Sequence, residues 1–226
     1  MRKVKKQSGF TLVEIAIVLV IIGLLLGGVL KGQELIESSR IKSMAKDLTS
    51  FSAMFTSYQD RYRSLPGDDI ISTTHTTRGW GGSALTTSTA ATAGIGNSLI
   101  GAVTYVTFSA PGANTENLAA IQALRYAGFL SGDGALTTPP ANAAGGFIGF
   151  THTVLGTDWA GVHVVCFTGL SGKQAGALDR MLDDGAYNSG SIRSDNATLT
   201  SAAATAAPTI PIYSELATGV TLCKTL

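Results

Sequence analysis

From Phe10 to Leu30 the chain runs for 21 residues with a single charged side chain, Glu14. At about 1.5 Å per residue such a run, once helical, spans a hydrocarbon core of roughly 30 Å, and in lipid only a helix satisfies every backbone group of an isolated segment. Four cations precede it (Arg2, Lys3, Lys5 and Lys6), and only Lys31 directly follows it. This asymmetry predicts that the leader stays on the cytoplasmic side and the bulk of the chain is exported. A secretory signal would end in small residues of an A-x-A type; here Leu30-Lys31-Gly32-Gln33-Glu34 follows, so the apolar segment is expected to stay with the chain. Glu14 is the costly feature. A carboxylate in lipid is unfavourable by several kcal/mol unless protonated or paired. No partner for it lies in its own helix within the run, so a positive group from another chain is the expected partner. A plain signal anchor accounts for the run but not for Gly9-Phe10 or Glu14.

Beyond the membrane run the apolar pattern changes character. Ile41, Met44, Leu48, Phe51, Phe55, Tyr58, Tyr62 and Leu65 are spaced by alternating threes and fours, one stripe of an amphipathic helix, while Lys42, Lys46, Asp47, Gln59, Asp60, Arg61 and Arg63 fall off it. Leu65-Pro66-Gly67 predicts the stop, because proline disfavours helix in the residue before it and glycine permits a turn. One helix from Phe10 to Ser64 would measure roughly 80 Å. Its aromatic residues are expected to be core side chains packed on a sheet rather than an electron path. Gly23, Gly27, Gly28 and Gly32 permit close helix approach and each weaken a helix by about 1 kcal/mol relative to alanine.

The remainder reads as α+β. About 160 residues follow Pro66, enough for one globular domain. Ser72 to Gly101 is rich in Thr, Ser, Ala and Gly and predicts an extended connection; Ser83 to Thr92 and Thr198 to Thr205 read as solvated loops. Asn114 is positioned to cap a helix from Thr115 to Tyr126, closed by Gly128. Ile148, Phe150, His152 and Val154 alternate, as do Val162, Val164 and Cys166, predicting a hairpin around Gly156-Thr157-Asp158. Ser171-Gly172-Lys173-Gln174 has capping-box spacing for another helix, through Leu178, Met181 and Leu182 to Asp183-Asp184-Gly185. A last strand is expected near Val220 to Lys224. The sheet is expected to be antiparallel and packed on the aromatic stripe.

Chemistry-bearing residues are sparse. Cys166 and Cys223 enclose 56 residues, and two cysteines in an exported chain predict a bridge. His163 lies three residues before Cys166, on the opposite side of a strand, so nucleophilic catalysis is not expected. Asp179, Asp183, Asp184 and Asn188 offer oxygens that could take calcium, yet their spacing is no EF-hand loop and a polar turn after a helix explains them. His75, His152 and His163 lack the spacing of a zinc pair, and Asp68-Asp69 reads as a turn, so no metal or cofactor is expected. The whole chain has sixteen Lys and Arg against fifteen Asp and Glu, and without the leader the balance is acidic, twelve against fifteen, giving no basis for general nucleic-acid binding.

Lys5-Lys6-Gln7-Ser8-Gly9, then Phe10-Thr11-Leu12-Val13-Glu14, then Ile15 through Leu30 resemble the type IV pilin superfamily. The resemblance covers about a quarter of the chain. It implies a leader of residues 1–9 removed after Gly9, N-methylation of Phe10, and Glu14 directing assembly together with Phe10. It further implies a long helix over 10–65, with 10–30 in the membrane and later in the filament core, and a head over 66–226 with an antiparallel sheet and a C-terminal disulfide loop, here Cys166 to Cys223. The partners implied are other subunits in a homo- or hetero-filament, a prepilin peptidase and methyltransferase, an inner-membrane assembly platform, and lipid before assembly. Many relatives carry a proline in the part of the helix that melts on assembly; here that position is Lys31. The resemblance implies no enzyme. Three function classes follow from it and from the residues: a type IV pilus subunit for adhesion, twitching or DNA uptake; a pseudopilin of a type II secretion system; and a membrane-tethered enzyme or binding module, which no convergent acid/base or metal set supports.

Overall fold

The structure is a computed structural model that describes residues 11–68, 78, 80, 96, 98–100, 116–136, 138–152, 162–195 and 212–226. The chain divides into two compact units, Met1–Arg40 and Ile41–Leu226. Helix α1, Leu12–Tyr62, contributes to both.

In the first unit α1 is exposed at every residue from Leu12 to Lys31. Leucine, isoleucine and valine cover it on all sides, with Leu24 at 73% and Leu30 at 66% exposure, so no water-facing side exists. It is long and apolar enough to cross a membrane. The helix continues unbroken through Gly23, Gly27, Gly28 and Gly32, around which a Cβ would meet open space. Lys31 and Glu34 neutralise one another at 2.7 Å, one turn apart.

The second unit forms on the other half of α1. Ile41, Met44, Leu48, Phe51, Phe55 and Tyr58 of the expected three-four stripe are buried, and Ala45 beside them as well. Tyr62 and Leu65 pack on the edge of the same core, partly exposed. The other elements are α2 (Glu116–Tyr126), β1 (Ile148–Thr151), β2 (Val164–Leu170), α3 (Gly172–Leu182), β3 (Ile192–Asp195) and β4 (Val220–Thr225). The strands make one antiparallel sheet in the order β1-β2-β4-β3. Phe150 of β1 meets Phe51 and Phe55 at ring-centre distances of 5.9 and 5.5 Å, so aromatic rings join helix to sheet.

Both outer strands are closed to further pairing at identifiable points. Asn117 Nδ2 of α2 donates to the Phe150 carbonyl at 2.6 Å, and on β3 the Ile192 amide donates to Asp183 Oδ2 at 2.8 Å. Side chains thereby take edge groups that would otherwise template another strand.

Several boundaries differ from the sequence expectation. α1 ends at Tyr62 rather than at Ser64, because Arg63 turns left-handed (φ 56) while its amide still reaches the Gln59 carbonyl at 2.8 Å. Gly67 (φ 88) then turns the chain against α2, where a Cβ would come within 2.5 Å of the Glu116 carbonyl oxygen. β1 stops at Thr151, with His152 in a bend, and β2 runs on to Leu170. Met181, expected on the buried side of α3, is 49% exposed. The buried side of α3 is instead Gly172, Ala175, Gly176, Leu178 and Asp179, because the 212–217 segment approaches closely: a Cβ on Gly176 would sit 2.9 Å from Tyr213 Cγ. β3 has no counterpart in the sequence reading. The Asn114 cap, the Gly156-Thr157-Asp158 turn and most of Ser72 to Gly101 lie outside the described residues. Trp80, placed in that connection, is 9% exposed and stacks on Tyr126 at 5.8 Å.

Candidate functional site

Gly9 and Phe10 lie outside the described residues, so the site is built from Thr11 onward. Thr11 caps α1: its hydroxyl receives the Glu14 amide at 3.3 Å, and Glu14 Oε2 receives the Thr11 amide at 2.8 Å and the Thr11 hydroxyl at 2.7 Å. This is a reciprocal capping box of the Thr-x-x-Glu type. It corrects one expectation: Glu14 has a neutral partner in its own chain. The signal is Thr11-Leu12-Val13-Glu14, a Thr-x-x-Glu spacing set within a run where the lone charge dominates. Both residues are exposed. The box satisfies two N-terminal donors of the helix and holds the carboxylate beside the start of the apolar segment.

The second candidate feature is the C-terminal staple. Cys166 and Cys223 face one another across the β2–β4 pair and are joined by a disulfide with Cα atoms 4.0 Å apart. Both are fully buried. Since β2 and β4 are the two central strands, the bond locks the register of the sheet where α3 and β3 intervene in sequence.

The third is an acidic cluster. Oxygens of Asp179, Asp183 and Asp184 lie within 4.8 Å of one another. Chain donors already occupy each carboxylate. Asp179 accepts from the Gly185 amide at 3.2 Å and from the Tyr213 hydroxyl; Asp183 accepts from Ile192; Asp184 accepts from the Ala186 amide at 2.8 Å and from Ser189 Oγ at 2.6 Å. Burial foremost raises the Asp179 carboxyl above the usual value, opposed by the Tyr213 and Gly185 donors. The Tyr213 hydroxyl is pushed well up, chiefly by burial and then by Asp179. Ser194 Oγ, 3.2 Å from the same hydroxyl, ties β3 into the network. Asn188 is exposed and makes none of these bonds. The cluster therefore closes the 183–192 turn and clasps the segment before β4.

At the far end of α1 an open cleft of about 730 Å3 is lined by Asp60, Arg63, Asp68, Arg78 and Ser98, among others. Arg78 lies over the rings of Tyr62 and Trp80, 4.4 and 5.1 Å from their centres, and donates to the Tyr58 hydroxyl at 3.0 Å. Acidic and basic side chains are balanced there. Of the histidines, His152 Nδ1 lies 2.6 Å from the Ile100 carbonyl oxygen and His163 feels the charge of Asp68, whereas His75 falls outside the described residues.

Residues 4–30 match the family model described as the prokaryotic N-terminal methylation motif. No curated protein and no solved structure matches the chain. The matched segment includes Gly9, Phe10 and Glu14 and continues through the apolar part of α1. A motif of this kind points to a structural subunit rather than an enzyme, and its apolar helix fits membrane anchoring before assembly. By this motif the chain carries the prepilin-type leader of type IV pilins and pseudopilins.

Proposed function

We propose that this protein is a structural subunit of a type IV pilus, assembled into a helical filament that serves adhesion, twitching or DNA uptake. The observation that carries the reading is the match of residues 4–30 to the methylation motif, on a helix whose apolar residues from Leu12 to Leu30 are exposed on every side. Such a surface needs lipid or other apolar helices around it. In this reading residues 1–9 are removed by a prepilin peptidase, which also methylates the Phe10 amine. Residues 10–30 wait in the inner membrane with the head, residues 66–226, in the periplasm. An assembly platform then transfers the subunit into the fibre.

Glu14 sets the axial offset between subunits. The cationic amine of a neighbour's Phe10 approaches its carboxylate and converts a group held by neutral donors into an ion pair. Glu14→Ala and Glu14→Gln are expected to insert and fold normally and to yield few fibres. Gly9→Leu is expected to leave an uncut precursor.

The test is mass spectrometry of the mature N-terminus together with electron microscopy of sheared cells. A chain beginning at methylated Phe10 and found in surface fibres supports the reading. The same N-terminus in periplasmic fibres only would make the protein a secretion pseudopilin, and a chain that starts at Met1 or beyond Leu30 would overturn both. Normal fibre yield from both Glu14 variants would remove the carboxylate from assembly.

A further inference from the structure

The cleft of about 730 Å3 past the end of α1 has the size of a small-ligand site, and the proposed assembly through the apolar helix makes no use of it. Two unusual backbones shape it. Among the described residues other than glycine, Arg63 (φ 56) and Ser98 (φ 63) are left-handed, and both line this cleft. A residue with a Cβ holds that conformation only when its surroundings impose it, and such positions cluster where a site is built. At the end of a helix the left-handed place is usually glycine's; here it carries a long cationic side chain.

The step at residue 63 has an electrostatic consequence. Asp60 and Arg63 are three residues apart, and had the helix run on they would be neighbours on its surface, placed to pair. Instead neither side chain makes a hydrogen bond or ion pair with any described residue, and both line the cleft. The rest of the wall is fixed. Asp68, buried, accepts from the Ser98 amide at 2.7 Å, and Arg78 is held by the Tyr58 hydroxyl at 3.0 Å and by the rings of Tyr62 and Trp80. One carboxylate and one guanidinium are thus committed to the fold, while one of each is open to an occupant.

These groups select the chemistry of that occupant. Asp60 and Asp68 oppose an anion, Arg63 and Arg78 oppose a cation, and an apolar ligand would cover the two open charges without pairing either. A carboxylate only accepts hydrogen bonds and a guanidinium only donates them, whereas the amide of Gln59, also in the lining, does both. A hydroxyl can serve each of them. A ring bearing several hydroxyls therefore satisfies Asp60 and Arg63 together, through bonds strengthened by their charge.

We propose that this cleft binds a neutral saccharide, with Asp60 accepting from its hydroxyls and Arg63 donating to them.

The test uses the full chain in detergent micelles. Methyl glycosides of glucose, galactose, mannose and N-acetylglucosamine are titrated while NMR follows the backbone amides, with inorganic phosphate and methylammonium as charged probes. One of the glycosides is expected to saturate at about millimolar concentration and to move the Ser64 and Ser98 amides, and neither ion is expected to do so. Asp60→Ala is expected to weaken that binding about tenfold or more and to leave the unfolding midpoint in place, since the side chain is exposed and unpaired. Arg63→Gly separates the site from the fold. Glycine takes the left-handed turn without strain, so the midpoint is expected to rise while binding is lost. Amides that stay still with all four glycosides overturn the proposal, as does tighter binding of phosphate or methylammonium, or an unchanged glycoside affinity in both variants. Should Arg63→Gly fold poorly, Asp60→Ala decides alone.

Discussion

The two halves of α1 are equally helical and serve opposite surroundings. Between Leu12 and Leu30 apolar side chains cover every side and all are exposed; between Ile41 and Tyr58 they occupy one stripe and are buried. The amount of hydrophobicity is higher in the first half, yet the second half makes the core. Periodicity decides the matter. A stripe of about 100° has one partner, the chain's own sheet, whereas an all-round apolar surface is suited only to lipid or to several neighbouring helices.

The sharpest way to break this contrast is to truncate one residue in each half. Phe55→Ala removes a side chain that is 2% exposed and rests on Phe150, and is expected to lower the unfolding free energy of the second unit by about 3–5 kcal/mol. Leu24→Ala, at 73% exposure, is expected to leave it unchanged. Denaturant titration in micelles, followed by near-ultraviolet dichroism, reads both. Equal losses would mean that the membrane half supports the head directly.

The disulfide comes next. Replacing Cys166 and Cys223 together by serine opens a loop with a sequence separation of 57, worth about 4 kcal/mol on the chain-entropy model. The same titration should show this loss, and exchange should rise first in β4, which the bond ties to β2. An unchanged midpoint would place the register of β2 and β4 in the core packing alone.

Smaller effects sharpen the comparison between carboxylates in the two units. Tyr213→Phe removes the hydroxyl that Asp179 accepts from, a loss of about 1.5–3 kcal/mol for a bond to a charged group. The pH dependence has a definite sign. Burial raises the Asp179 carboxyl on folding, so its protonated form is the one the fold favours, and stability is lost as the pH rises through the folded value. Without the hydroxyl that value climbs further. The cost of Tyr213→Phe should therefore be greater at about pH 7.5 than at about pH 3.5, where the carboxyl is protonated in either protein. Equal costs at both would show that the hydroxyl acts through packing.

The sequence made legible whatever repeats or caps locally. The stripe from Ile41 to Tyr62 and the Ser171–Gln174 capping box are both present, the latter with its two reciprocal bonds formed. What stayed illegible depends on distant chain. Trp80 sits among Thr, Ser and Gly, and nothing local says that Tyr62 and Tyr126 will enclose it. Ile192–Asp195 is too short and polar to read as a strand until β4 supplies its partner. Met181 follows the helical period but faces outward, because Tyr213 and the 212–217 segment demand the small residues on the other side of α3. At the candidate assembly site the reverse happened. Thr11 and Glu14 form a local motif, whereas a lone charge in an apolar run points to a distant partner.

The last and smallest effect concerns that motif. Thr11→Val removes the hydroxyl that both accepts the Glu14 amide and donates to Oε2, while leaving the Thr11 backbone amide as a donor. Loss of a side-chain cap costs about 0.5–2 kcal/mol, confined to the first helical turn. The unfolding midpoint of the second unit should therefore not move. Exchange at the Val13 and Glu14 amides should rise by about thirtyfold or less, as the loss of one cap requires. If the proposed pairing with a neighbour's Phe10 is right, the variant separates two roles of Glu14. A carboxylate freed from its internal hydroxyl is more available to the incoming amine, so fibres should still form in Thr11→Val while they fail in Glu14→Gln. Failure of both variants alike would mean that assembly reads the capping geometry as well as the charge, since glutamine can still close the box.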